Sequence, residues 1–433
     1  MVWQMSKELT RSICRYSEFP ATGISLRQMV QFGSNPSAGT LFRASQFTIE
    51  ELPIRLAHRV RELERLPNGL SDMPSIQKVK NWYAQSFEEL TSIPQPIISS
   101  ELKQKLYGLV PDTDSTVDSG LFYSTTTKNP SLEDWHYKAS DKQKSKSINS
   151  RRFFAHDEQD CIWPSEIYEY NNLVTQTLQI IKSRHDATVA TVAQGVKEWK
   201  QLSEKNLMDS SIQSFLDRFY MSRIGIRMMI GQHIAINTEP VREDYVGIIC
   251  TKTNIAEVAH DAVENARFIC EDYYDLYEAP KVEIICKPDL NFMYVPGHLT
   301  HMLFEVVKNS LRAVVETHSA DCDNFPPIKI IIAEGDEDIT IKVSDEGGGI
   351  ARSASSQIWN YMYTTVQAAP SLDPTFNKSD FKAPMAGFGY GLPISKLYAK
   401  YFGGDLKLIS MEGYGTDVYL HLNRLSSSSE ALQ

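Results

Sequence analysis

No two cysteines in the 433-residue sequence stand at Cys-x-x-Cys spacing. The six present, Cys14, Cys161, Cys250, Cys270, Cys286 and Cys322, are scattered. That argues against a zinc ribbon and against a disulfide framework, and it suits a reducing compartment. A basic excess is missing too. The net charge is −10, so the footprint of a nucleic-acid binder is absent. Apolar runs near the roughly 20 residues of a membrane span are also absent, and no membrane partner is expected. The sequence contains no G-x-x-x-x-G-K-S/T, which excludes a P-loop, and no G-x-G-x-x-G inside a βαβ pattern, which excludes a dinucleotide fingerprint. With 42% hydrophobic and 23% charged residues the chain can bury sizeable cores, and its length suggests two domains.

The first half reads as helical. "FTIEELPIRLAHRVRELERL" carries apolar residues at helical spacing and stops at Pro67-Asn68-Gly69. "SIQKVKNWYAQSFEELTSI" stops at "PQP", "IYEYNNLVTQTLQIIKSRHDATVATVAQGVKEWKQL" is one long periodic stretch, and "SIQSFLDRFYMSRIGIRMMIGQHIAI" is another helix. Long helices with short connections predict a bundle of four-helix type over residues 1–240. Residues 112–160 are rich in Ser, Thr, Asp and Lys without period, so a flexible insertion is expected there. Near residue 245 the character changes. "VEIIC", "IKIIIAEG", "ITIKVSD", "LKLIS" and "DVYLHL" predict strands, with helices over 254–272, 298–317 and 391–402. The order does not alternate as in a doubly wound sheet. It predicts an α+β fold in which the bundle is followed by an α/β sandwich over 245–425, with helices on one face of a mixed sheet. Residues 426–433 are expected to form a flexible tail. The opening residues include Lys7, Arg11 and Arg15 beside Glu8 and Glu18, which suits an ordinary first helix better than a transit peptide.

Three stretches carry chemistry. "HMLFEVVKNSLRA" (301–313) has the apolar content of a buried helix, yet holds His301, Glu305, Lys308, Asn309 and Arg312. On a helical wheel these five fall within an arc of about 100°. A narrow polar stripe on an apolar helix points to something polar and ordered lying against it. The bland alternative is a buried ladder of Glu305 with Lys308 and Arg312. "VSDEGGGIA" (343–351) ends a strand with Asp345, able to accept from an amino group, and three glycines that let backbone approach a ligand. A plain turn is the alternative there. "AGFGYGLPISKLYAKYF" (386–402) opens a helix from a glycine-rich turn, presenting free N–H groups and the positive dipole end to an anion. Between the last two lie about twenty non-periodic residues, 366–386, which would suit a lid over a nucleotide.

"EVVKN", "DEGGG", "GFGYGL" and "GTD" (415–417) together resemble, in order, the N box, the two glycine boxes and the last box of the Bergerat-type ATP-binding fold. That fold is shared by histidine kinases, Hsp90 chaperones and MutL-type proteins. "HMLFEVVKNSLRAVVETH", "YMYTT", "ELPIRLAHRV" and "SRIGIRMMIGQH" narrow the resemblance to the mitochondrial protein kinases of the pyruvate and branched-chain 2-oxoacid dehydrogenase complexes, over nearly the whole chain except 112–160. "YMYTT" leans to the pyruvate branch; "VGIICT" and the short ending lean to the branched-chain one.

The resemblance implies an ATP-dependent protein serine kinase with Mg²⁺, and K⁺ as a further candidate ion. It implies the pyruvate dehydrogenase component as substrate, a lipoyl domain of the acyltransferase core as partner, a homodimer, and the mitochondrial matrix. By the same resemblance, Asn309 holds Mg²⁺, Glu305 is general base assisted by His301, and Lys308 and Arg312 contact phosphate. Asp345 binds the adenine amino group, with Gly347, Gly349 and Thr416 lining the base. Thr364 and Thr365 belong to the lid, and Gly387, Phe388, Gly389, Tyr390, Gly391 and Leu392 wrap the triphosphate. A regulatory pocket for pyruvate-like acids is implied at Tyr83, Ser86, His185, Arg223 and Arg227. The arginines at i, i+4 could clamp a carboxylate, though surface arginines on an amphipathic helix would look the same. Longer family members carry a C-terminal extension with an Asp-Trp pair that supports lipoyl docking. This chain ends at "SSSSEALQ", which leaves that docking mode open.

Two other functions fit parts of the pattern. A histidine kinase could use His185 as phosphoacceptor on a long helix, although no receiver or sensor domain accompanies it. An ATP-gated clamp would use the glycine boxes alone, but gives no reason for Lys308.

Overall fold

The computed structural model describes residues 3–33, 37–96, 163–203, 210–319, 322, 324–364, 389–425 and 428–432. The expected insertion at 112–160 and lid at 366–386 lie outside the described residues. The chain forms two compact units: Met1–Thr22, Gln28–Trp199 and Gly225–Arg242 make one, and Gly23–Arg27, Lys200–Ile224 and Glu243–Gln433 the other.

The first unit is helical, built from α1 (Lys7–Tyr16), most of α2 (Leu26–Gly33), α3 (Ala38–Glu64), α4 (Pro74–Thr91), α5 (Ser165–Arg184), most of α6 (Thr188–Ser203) and the later part of α7 (Ser210–Thr238). Serine hydroxyls set where α1 and α3 begin: Ser6 accepts from the Leu9 N–H at 3.1 Å and Ser37 from Thr40 at 3.2 Å. Leu52, Leu56, Val60 and Leu63 recur at helical spacing on α3 and are buried, as are Ile76, Val79, Tyr83, Phe87 and Leu90 on the adjacent α4. The break between them comes at Asn68 and Gly69, both with φ in the left-handed region.

The stretch read as one long helix is two. α5 stops at Arg184, His185 is its C-cap, and α6 restarts at Thr188. The His185 ring stacks on Tyr83 with centroids 4.4 Å apart, and its Nε2 lies 3.0 Å from Ser86 Oγ. Tertiary contacts at one residue thus override a continuous periodicity.

His233, on α7 and buried, has Nε2 3.2 Å from Thr175 Oγ1 on α5. Its Nδ1 has no partner among the described residues. Burial holds its pKa down from 6.5 to about 4. Between those values the unfolded chain binds the proton and the folded one does not. His233 therefore stabilises the fold fully above pH 6.5, and that contribution fades as pH falls towards 4, by about 3 kcal/mol in all. Urea unfolding across this range is expected to show the loss in the parent and a flatter profile in His233→Gln. Parallel profiles would remove the assignment.

In the second unit, β5 (Ile328–Glu334) and β6 (Asp338–Asp345) form the expected hairpin. With β3 (Val282–Ile285), β7 (Asp405–Met411) and β8 (Gly415–Asn423) they make a mixed sheet whose order among the described residues is β3-β5-β6-β8-β7. β3 and β5 are parallel and the other pairs antiparallel. Ile328, Ile330, Ile339, Ile341, Val343, Val418, Leu420 and Leu422 alternate into the core. α8 (Ile255–Tyr274) and α10 (Gly391–Tyr401) flank α9 (Pro296–His318), which also contacts β6. A small antiparallel sheet, β1 (Tyr245–Val246), β2 (Ile249–Asn254) and β4 (Asn291–Tyr294), went unread: β1 is two residues long, and β2 buries Ile249 and Cys250 side by side without alternation.

The tail is a correction. Residues 428–432 are tied down rather than loose. The buried Glu430 accepts from the Ile24 N–H at 3.2 Å and from the Tyr401 hydroxyl, and Ser429 bridges to Ser25. Its polar composition hid this, because part of the ordering comes from partners distant in sequence, such as Ile24, 406 positions from Glu430.

Candidate active site

α9 sorts its polar stripe by depth. Glu305 and Lys308 are 6% and 2% exposed, His301 and Arg312 are half-buried, and Asn309 is exposed. Lys308 Nζ donates to Glu305 Oε1 at 2.8 Å and sits 5.1 Å from the Phe304 ring centroid. Arg312 pairs instead with Glu316, Nε to Oε1 at 2.7 Å, and the Tyr274 hydroxyl donates to the same oxygen at 3.1 Å. The ladder expected as the bland alternative is therefore a single buried pair. Such a pair carries a desolvation cost that good packing alone does not require. His301 lies edge-on to Tyr398, with centroids 5.1 Å apart.

The β6–β8 register sets Asp345 opposite Thr416, which joins the first glycine box to the last. Asp345 Oδ1 accepts from the backbone N–H of Gly347 at 3.1 Å and of Thr416 at 3.2 Å. Its Oδ2 accepts from the Ser310 hydroxyl at 2.7 Å. Three of a carboxylate's roughly four acceptor positions are thus filled, which leaves one on Oδ2. Burial raises the Asp345 pKa, against the pull of these three hydrogen bonds. Gly347 packs against α9 so closely that a Cβ would come within 2.5 Å of Ala313 Cβ. Gly349, at φ +70°, would drive a Cβ into the Met411 carbonyl.

The second glycine box begins, among the described residues, at Gly389. Tyr390 is buried, and Gly391 opens α10 with Pro393 in its first turn. A Cβ on Gly391 would overlap Glu305 Oε2. The start of α10, with its free N–H groups, therefore abuts the carboxylate on α9. Leu392 follows in the same turn and is half-buried. Thr364 is half-buried at the edge of the described residues, while Thr365, Gly387 and Phe388 lie outside them.

In the first unit, Tyr83, Ser86 and His185 come together as given above. The Arg184 guanidinium donates to Ser86 Oγ at 2.9 Å, and Arg227 pairs with Asp186 at 2.8 Å. Arg223 is buried on the part of α7 that belongs to the second unit, and its Nε and Nη2 have no partner among the described residues.

Ser310 was missed. It lies about 180° from His301 on the wheel, on the apolar side. A serine there was the available signal, because a buried hydroxyl needs a partner.

Residues 23–250 match the family model described as mitochondrial branched-chain alpha-ketoacid dehydrogenase kinase, and residues 294–426 match the histidine kinase-, DNA gyrase B- and HSP90-like ATPase model. The chain is 46% identical to the mitochondrial pyruvate dehydrogenase (acetyl-transferring) kinase of Schizosaccharomyces pombe, over 99% of each chain. It is 42% identical to that of Arabidopsis thaliana, over 98% of this chain and 97% of the relative. With isozyme 3 of Homo sapiens the identity is 36%, over 99% and 89%. The ATPase match falls on the unit that holds the N box and the glycine boxes, and the kinase match on the helical half, so the chain belongs to the family of mitochondrial pyruvate and branched-chain 2-oxoacid dehydrogenase kinases.

Proposed function

We propose that the chain is an ATP-dependent protein serine kinase that phosphorylates and inactivates the pyruvate dehydrogenase component of its complex. The names of the relatives support the substrate. The observation that carries the chemistry is Glu305, buried, held by Lys308 through Oε1, with Oε2 turned to the start of α10. Phosphoryl transfer asks for positioning, charge neutralisation and an oriented nucleophile. Oε2 of Glu305 takes the serine hydroxyl proton, with His301 beside it. Lys308 balances that carboxylate, and Lys308 and Arg312 face the phosphates. The free N–H groups of α10 receive the triphosphate, and the open position on Asp345 Oδ2 takes the adenine amino group.

The donor set fits Mg²⁺. Among the described residues no group of three His, Cys, Asp or Glu side chains could cage a metal. The exposed Asn309 offers one oxygen, and phosphate oxygens and water would complete an octahedron. When bound, the ion neutralises phosphate charge.

Exposed Ile409 and Met411 on β7, the edge strand of the sheet among the described residues, support a second copy as partner. The relatives' names support mitochondria as the compartment, and the matrix and a lipoyl-domain partner belong to the same proposal. Tyr83, Ser86, His185 and Arg227, all in the first unit, are proposed as the site of a pyruvate-like regulatory acid. The phosphoacceptor alternative loses support because His185 is 2% exposed and stacked on Tyr83.

Incubation with ATP and each purified dehydrogenase complex tests the substrate. The pyruvate complex is expected to lose activity and the branched-chain complex to keep it. The reverse result would move the chain to the other branch.

A further inference from the structure

One tyrosine of "YMYTT" is gripped from a helix that the ATPase match does not include. Tyr361 is buried, and its hydroxyl donates to Asp217 Oδ1 at 2.7 Å. Its backbone N–H donates to Gln213 Oε1 at 3.0 Å. Its ring packs 5.5 Å from that of Tyr220 and 5.3 Å from that of Tyr390. Gln213, Asp217 and Tyr220 share one face of α7, within the segment Lys200–Ile224 that belongs to the second unit. That face therefore holds Tyr361 by its backbone, its hydroxyl and its ring together.

What Tyr361 holds in turn is the second glycine box. The next residue, Met362, has φ +62°, a costly conformation for a side chain without a local hydrogen bond of its own. Its N–H donates to the Gly389 carbonyl at 3.2 Å. Gly389, at φ +75°, leaves no room for a Cβ beside the Tyr363 backbone. Tyr390 packs back edge-on against Tyr220 and tilted against Tyr361, and Gly391 then meets the Glu305 carboxylate. A strained backbone persists only where its surroundings over-determine it. Here the surroundings are the Gln213–Asp217–Tyr220 face.

We infer that Tyr361 and Asp217 are positioning residues for phosphoryl transfer: through Met362 and Gly389 they hold Gly391, and so the orientation of the Glu305 carboxylate. This rests on the proposed base role of Glu305. Asp217 is exposed, so replacing it spares the core.

The test uses the full chain with Tyr361→Phe, Asp217→Ala, their double variant and Asp217→Asn, which keeps an acceptor oxygen. A small displacement of a catalytic group is costly, so each of the first two is expected to lower kcat about tenfold with ATP KM changed less than about threefold. The double variant is expected to be no slower than the slower single, and Asp217→Asn to stay within about threefold of the parent. Amide exchange at Met362, which needs no substrate, is expected to quicken in Tyr361→Phe and Asp217→Ala and to be restored in Asp217→Asn. Unchanged kcat, multiplied losses in the double variant, or unchanged Met362 exchange would overturn the inference. Should Glu305→Gln prove active, the base role fails by itself, and the exchange measurement still decides whether Asp217 and Tyr361 position the glycine box.

Discussion

Glu305→Gln is expected to bind ATP and transfer almost no phosphate. The substitution keeps the shape of the side chain and leaves an oxygen to accept from Lys308 at the position where Glu305 Oε1 now lies 2.8 Å away. It removes the lone charge that can take a serine proton. A positioned base contributes about 10²–10⁴ in rate, and kcat should fall by that factor. The Asp345, Ser310 and Thr416 contacts lie elsewhere on the unit, so ATP affinity should change little. Stability of the nucleotide-free chain should drop sharply, by up to about 3–5 kcal/mol, because Lys308 is left as a buried charge without its counter-charge. Single-turnover transfer and calorimetric ATP titration on the same preparation separate these effects. A variant within tenfold of the parent would end the base assignment.

Asp345→Ala is expected to lose nucleotide binding instead. Three donors would be orphaned together: the Ser310 hydroxyl and the N–H groups of Gly347 and Thr416. A buried donor left without an acceptor costs about 1–3 kcal/mol. Part of that loss appears as a loosened glycine turn, and the adenine amino group loses its acceptor as well. ATP affinity should fall by more than about 100-fold, given about 1.4 kcal/mol per tenfold. The same carboxylate gives a pH dependence. Burial raises its pKa, so it protonates at a higher pH than an exposed aspartate. The protonated form offers the amino group one acceptor fewer, so ATP affinity of the parent should weaken as pH is lowered. Asp345→Asn, held to one neutral state, should bind weakly with no such slope. Affinity of the parent that is flat with pH would contradict this role.

The strands of the main sheet were legible because their alternation is strong: Ile328, Ile330 and Ile332 on β5 and Ile339, Ile341 and Val343 on β6 are all buried. The stripe on α9 was legible for the same reason in the helical period. Its division into a buried Glu305–Lys308 pair and a separate Arg312–Glu316 pair was not, because a wheel gives direction without depth. Partners distant in sequence were equally hidden. Nothing local in "SSSSEALQ" announces that Glu430 meets Ile24 and Tyr401. Nothing in "YMYTT" names Gln213 and Asp217, which lie 148 and 144 positions earlier. The end of α5 at Arg184 was unreadable because His185 is fixed by Tyr83 and Ser86, about 100 positions away.

The most direct measurement is to incubate the purified chain with labelled ATP and the pyruvate dehydrogenase component, then recover the phosphate by acid treatment and amino-acid analysis. Acid-stable phosphoserine on the dehydrogenase, absent with Glu305→Gln, is the expected result. Acid-labile phosphate on the chain itself, or ATP turnover equally fast with no protein acceptor present, would contradict it.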